Sequence, residues 1–194
     1  MQQIIRKIMQ ESLDVKLRSL NNTELIALVE NAVDMLADSV SAGRKILFCG
    51  NGGSAADAQH LAAELSGRYY YDRPPIYAEA LHVNSSFVTA VANDFSYEKV
   101  FSRMVEAAGK EGDVLVALST SGRSPGIIAA IQTARNQKMK VIGFSGQSGG
   151  DMNQVCDILL KVPSADTPRI QEVHILLGHI ICELLEKKIF PQPE

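Results

Sequence analysis

The sequence has little cysteine, no block of basic residues and no long apolar run, and each absence removes a class of protein. Its three cysteines, Cys49, Cys156 and Cys182, are an odd number at wide spacing with no CxxC pair. Neither a disulfide frame nor a thiolate zinc knot is expected, and all three read as small buried hydrophobes. The 19 Lys and Arg side chains are outnumbered by 22 Asp and Glu, for a formal net charge of -3. A nucleic-acid groove built on bulk charge is therefore not expected. The apolar runs fall well short of the roughly 18–20 residues that cross a bilayer. Met1-Gln2-Gln3 opens onto charges rather than a signal core. The expected location is cytoplasmic, with neither nucleic acid nor membrane as a partner. What is present suits one compact domain: 194 residues, 46% of them apolar.

From residue 4 to residue 40 the apolar side chains recur at helical period. Ile4, Ile5, Ile8, Met9 and Leu13 form one stripe; Leu25, Leu28, Val29, Ala32, Val33, Leu36 and Val40 form a second. Asn21-Asn22-Thr23-Glu24 between them reads as a turn and an N-cap, which predicts two helices or one long helix with a break. Gly43 ends this region, and residues 45–50 (Lys-Ile-Leu-Phe-Cys-Gly) are the short apolar run of a fully buried parallel strand. The loop Asn51-Gly52-Gly53-Ser54 follows, then a helix over about 55–65. The same grammar returns with a strand at 113–118, a polar loop at 119–124 and a helix at 127–138. Further strands are predicted at 139–145 and 158–162, and a long closing helix at 169–187, stopped by Pro191 and Pro193. Repeated units of this kind predict an α/β fold, a doubly wound parallel sheet flanked by helices on both faces. Residues 1–36 are expected to form an N-terminal helical extension for association, and 37–194 the α/β domain. There is no linker rich in Gly, Ser and Pro, no low-complexity tract and no repeat at solenoid period.

Ligands of an open parallel sheet bind outside the carboxyl ends of the strands, where the next helix begins. Two such loops share a chemistry here. Gly50-Asn51-Gly52-Gly53-Ser54 and Ser119-Thr120-Ser121-Gly122-Arg123-Ser124 both set small side chains, hydroxyls and backbone N–H groups at a helix N-terminus. The helix dipole favours an anion there, and phosphate is the guest that hydroxyl donors suit. Either loop alone would also pass as a turn with an N-cap; two on one sheet favour an anion site. Neither is a Walker A loop or a complete G-x-G-x-x-G.

His60 and Glu64 stand four residues apart on the following helix, so they share a face and are able to ligate one metal or share a proton. In the closing helix Gln171, Glu172, His174 and His179 crowd a few turns. At about 100° per residue, His179 lies about 80° from Gln171, about 20° from Glu172 and about 140° from His174. His174 and His179 therefore do not face one site, whereas His179 pairs with either Gln171 or Glu172. His82 has no partner in the sequence and reads as structural.

These residues carry a resemblance. The run from Cys49 to His60 (Cys-Gly-Asn-Gly-Gly-Ser-Ala-Ala-Asp-Ala-Gln-His), with Glu64 and Arg68 after it, resembles the signature of the phosphoheptose isomerases. So do Ala92-Asn93-Asp94, Ser119-Thr120-Ser121-Gly122 with Ser124, and Arg169-Ile170-Gln171-Glu172-Val173-His174 with His179. The match runs in order over about 37–190; the amino-terminal helices match in character alone. The resemblance implies a sugar isomerase (SIS) domain, a flavodoxin-like three-layer sandwich. It implies interconversion of sedoheptulose 7-phosphate and D-glycero-D-manno-heptose 7-phosphate, with one zinc ion per subunit and a homotetramer whose sites lie at subunit boundaries. Carried over by position, His60, Glu64, Gln171 and His179 match the zinc ligands, Glu64 the general base and His179 the general acid. Asn51, Gly52, Gly53, Glu64, Asn93, Asp94, Ser119, Thr120, Ser121, Ser124 and Gln171 match the sugar-phosphate contacts, which leaves Glu172 and His174 as supporting residues. Arg123, where asparagine or lysine is common, and His82-Val83-Asn84, where Thr-Asp is usual, depart from the pattern. The alternative within the family is a non-enzymatic tetramer that binds the replication initiator DnaA. That relative has lost residues of the active constellation, which this chain retains together.

Overall fold

The computed structural model describes residues 1–192, so Pro193, one of the two expected helix stops, lies outside the described residues. The chain runs α1 (Gln2–Leu20), α2 (Thr23–Ser41), β1 (Ile46–Gly50), α3 (Gly53–Ser66), β2 (Ala78–Ala80), α4 (Ser85–Asp94), α5 (Lys99–Ala108), β3 (Val114–Leu118), α6 (Pro125–Asn136), β4 (Lys140–Ser145), a 3-10 turn (Gly150–Gln154), β5 (Ile158–Lys161) and α7 (Thr167–Ile189). Asn22 caps α2, its side-chain oxygen accepting from the Leu25 N–H at 3.0 Å, so the expected break between two helices is real. Residues 36 and 37, where the sequence suggests a boundary, both lie inside α2, whose Leu25, Val29, Ala32, Val33, Leu36 and Ala37 join the main core.

The five strands are parallel in the order β2-β1-β3-β4-β5. Register is set by alternation: Phe48, Val116, Ile142 and Ile158 stand opposite one another across four strands. Together with Ile46 and Leu160 they face one core, shared with α2, α3 and α7. Their neighbours Leu47, Cys49, Leu115, Ala117 and Val141 point to the other face and pack with α5 and α6. Because both faces are covered, β1 and β3 are buried at every residue, which is why these strands are continuous apolar runs rather than alternating ones. Cys49 and Cys182 are buried as expected, whereas Cys156 is only half-buried.

The sequence reading misses β2, α4 and α5. The first is a three-residue edge strand, Ala-Glu-Ala, with no apolar run to mark it. Helix α1 buries Val15 and Ser19 while Ile4, Ile5, Ile8, Met9, Leu13, Leu17 and Leu20 stay exposed. Between α1, α2 and α7 an apolar groove of about 440 Å³ is left open, lined by Leu20, Leu25, Ile26, Val29, Leu176, Leu177, Ile180 and Leu184. Among the described residues no helix is long and apolar enough to cross a membrane.

Candidate active site

The strand order reverses between β1 and β3, so the chain leaves these neighbours toward opposite faces of the sheet and opens a crevice above their carboxyl ends. Both expected loops line it. Gly52 starts α3 with φ +55 and Ser124 starts α6 ahead of Pro125; neither helix is closed by a side-chain cap, which leaves first-turn N–H groups for a ligand. One chain of hydrogen bonds ties the two loops together. Asn51 Nδ2 donates to Ser124 Oγ at 2.9 Å, and the Tyr97 hydroxyl donates to Asn51 Oδ1 at 2.9 Å. Tyr97, just before α5, fixes which way the Asn51 amide points, and no sequence motif announced it. In the second loop, Gly122 N–H donates to the Ser119 carbonyl at 2.9 Å and Arg123 N–H to Ser121 Oγ at 3.2 Å. Thr120, Ser121 and Arg123 then share a cleft of about 210 Å³ with Ser164 and Thr167.

The titratable cluster lies on α3 and α7. His60 Nε2 is 3.0 Å from Glu64 Oε1 and 3.4 Å from His179 Nε2. One donor atom from each of the three residues falls within 4.8 Å of the others. Glycine makes this convergence possible: a Cβ at Gly178 would stand 2.5 Å from Leu61 Cδ1. The helices therefore touch beside the two histidines. The Tyr69 ring lies 5.9 Å from that of His179, with its phenol pushed up to about 12 by burial and by the neighbouring Tyr70. Asp57, one turn before His60, has its carboxyl raised by burial against an opposing pull from His60.

Gln171 and Glu172 are turned to different neighbours. Glu172 is closer to His179 in helical phase, yet α1 takes its carboxylate: the Ser12 hydroxyl donates to it at 2.6 Å, and Arg169 reaches it at 2.9 Å. Gln171 lies against the first loop, where a Cβ at Gly53 would meet its amide nitrogen at 2.6 Å. His174 is fully buried, with Nε2 3.2 Å from the Ser145 carbonyl and its ring edge-on to Phe144. Burial pulls its pKa down to about 4, so it is a neutral core residue. His82 is half-buried against Phe101 and lowered by burial too. Asn93 and Asp94 sit exposed at the end of α4, where Asn93 Nδ2 donates to Asp94 Oδ1 at 2.8 Å. Among the described residues their side chains hydrogen-bond to no other candidate.

Beyond the cluster, Arg73 and Glu186 form an ion pair at 3.0 Å, each side chain 1% exposed. Burial alone would raise the Glu186 carboxyl, but the Tyr70 and Tyr69 N–H groups and Arg73 outweigh it and hold it below its ordinary value.

The SIS domain family model matches residues 11–146. The chain belongs to the SIS-domain family. Within it, a phosphoheptose isomerase of Burkholderia pseudomallei is 52% identical over 171 residues, covering 88% of this chain and 87% of that protein. The solved phosphoheptose isomerase of Neisseria gonorrhoeae superposes with a TM-score of 0.90 at 39% identity, over 96% of this chain and 98% of the other. That of Francisella tularensis gives 0.91 at 34%, over 95% and 97%. At these identities over nearly full length, this SIS domain is a member of the phosphoheptose isomerases.

Its two departures from the family pattern now have places. Asn84 is the N-cap of α4, accepting from Phe87 N–H at 3.1 Å, a task asparagine and aspartate share. Arg123 lies at the rim of the 210 Å³ cleft. The donor set also fits zinc. Tetrahedral bonds of about 2.0–2.1 Å put ligand atoms about 3.3 Å apart, and the separations from His60 to Glu64 and His179 are 3.0 and 3.4 Å.

Proposed function

We propose that the protein is an aldose–ketose isomerase that converts D-sedoheptulose 7-phosphate to D-glycero-D-manno-heptose 7-phosphate through an enediol or enediolate, the first step of ADP- or GDP-heptose biosynthesis. One observation carries the reading. A carboxylate and two imidazoles converge beside a crevice where hydroxyls and two uncapped helix N-termini meet. The anionic end of the substrate is held by Ser119, Thr120, Ser121 and Ser124 with the α6 N-terminus. Asn51, Gly52, Gly53, Asn93, Asp94 and Gln171 take the sugar. Binding energy at the unreactive phosphate fixes C1 and C2 against the cluster.

Glu64 takes the proton from C1 of the ketose while His179 supplies one to O2. The same carboxylate returns its proton at C2 as O1–H gives its own to His179, which completes the aldehyde and restores both groups. Imidazole suits the oxygen transfers because its unperturbed pKa, about 6.5, lies near neutrality. His60, Glu64 and His179, with Gln171, would hold one zinc ion, which supplies Lewis-acid polarisation of the carbonyl and stabilises charge on the oxygens. In the apolar groove and the bare stripe of α1 a homotetramer finds its contact surface, with residues 1–36 as the association element and 37–194 carrying the chemistry. The proposed location is cytoplasmic.

The test is incubation of the purified protein with sedoheptulose 7-phosphate, following the aldose by NMR with and without zinc. Appearance of the aldose signals is expected; their absence under both conditions overturns the reading.

A further inference from the structure

We propose that the buried Arg73–Glu186 pair is a positioning clamp, which holds α3 and α7 in the register that brings His60, Glu64 and His179 together. The inference rests on the assignment of that cluster as the reacting centre. Its geometry begins with the guanidinium. Arg73 Nη2 donates to the Glu64 carbonyl at 3.0 Å, and Nη1 to the carbonyls of Leu65, Gly67 and Pro74 at 2.8, 3.1 and 3.1 Å. It thus closes the C-terminal turn of α3 by taking up carbonyls that have no helical partner, among them the one belonging to Glu64 itself. Its Nε donates to Glu186, and the same carboxylate accepts from Tyr69 N–H at 3.0 Å and Tyr70 N–H at 2.7 Å.

On α7, His179 and Glu186 are seven residues apart, about 700° of helix, so they share one stripe within about 20°. One end of the stripe presents His179 to His60, and the other grips the segment that leaves α3. The Gly178–Leu61 contact sets how far apart the helices lie. Sliding and rotation are left to be fixed, and the ion pair fixes them about 10 Å, two helical turns, away. Stability alone is a poor account of such a pair, since apolar residues of similar volume commonly do as well in a core. Direction is what a planar fork of donors supplies and an apolar side chain does not.

The experiment uses the full-length protein and the variants Arg73→Lys, which keeps the charge but loses the fork, and Glu186→Gln, which keeps the shape but loses the charge. Tyr71→Phe serves as control, removing only the hydroxyl that donates to the Phe190 carbonyl at 2.7 Å at the same corner. For variants folded by circular dichroism at the assay temperature, kcat and KM for sedoheptulose 7-phosphate are measured, with the Kd for zinc by calorimetry. In both clamp variants kcat should fall about tenfold or more and zinc binding should weaken about tenfold. KM should stay within about threefold, because the phosphate loops are tied to each other through Asn51 and Ser124 and not through the clamp. Parent-like kcat and zinc Kd in folded variants overturn the proposal, as does a rise in KM at constant kcat. Should Glu186→Gln fail to fold, the milder Arg73→Lys decides. Glu64→Gln is assayed in parallel: full turnover there refutes the cluster as the reacting centre, and the zinc Kd then judges the clamp alone. Should the parent bind no zinc, the split between kcat and KM judges it.

Discussion

The crevice above β1 and β3 and the groove between α1, α2 and α7 are both concave, but they are made of opposite materials. The crevice is walled by backbone N–H groups, hydroxyls and a half-exposed His60 and Glu64, with 47% and 27% of their side chains open to solvent. The groove is mainly aliphatic, with Lys16, Ser19 and Glu30 among its lining. A polar crevice of this kind has donors held in place by bonds such as Asn51 to Ser124, beside N–H groups that no side chain caps. An aliphatic groove is a core with one wall missing, and water is its least favourable occupant. On the proposed function, the contrast separates the reacting centre from the surface for association.

The comparison breaks first at Glu64. Glu64→Gln should lower kcat about 10³-fold in the NMR assay while sedoheptulose 7-phosphate still binds by calorimetry. A charge in the groove attacks the other side: Leu176→Asp or Leu184→Asp should cost about 3 kcal/mol of association, seen as a fall toward monomer mass in light scattering. His174 tests whether a histidine five residues from His179 is purely structural. Its folded pKa of about 4 lies below the ordinary 6.5, so the unfolded chain takes the proton first. Stability is then complete above pH 6.5 and falls, by about 3 kcal/mol at most, as pH drops toward 4. His174→Gln should flatten that acid limb in thermal melts, leaving smaller slopes of the same sign from half-buried His82 and, at lower pH, from Glu186. Ser124→Ala is the mildest change. Loss of one hydroxyl at the anion end should raise KM by about tenfold and leave kcat near the parent value in initial-rate measurements.

Much of this was legible in the chain because burial on both faces leaves a plain mark. Residues 46–50 and 114–118 are apolar throughout, and the glycine- and serine-rich loops that follow them declare the ends of strands. The pairing of His60 with Glu64 needs only helical spacing. What stayed hidden is tertiary. Edge strand β2 is too short to show alternation, and α5 carries an apolar stripe of Val100, Phe101 and Val105 that no neighbouring strand pattern framed. Tyr97 reaches Asn51 across 46 residues and Arg73 reaches Glu186 across 113; nothing local encodes either partnership. Helical phase leaves Gln171 and Glu172 both open, and the hydroxyl that α1 brings to the Glu172 carboxylate is a tertiary fact that spacing does not carry.

The contact between Gly178 and Leu61 has one more consequence. At that point α7 offers no side chain and the Leu61 side chain of α3 fills the space, which lets the helices approach closely beside the imidazoles of His60 and His179. Alanine at 178 would have to displace Leu61 or wedge the helices apart, so the meeting of His60 with His179 depends on a residue that contributes no functional group of its own.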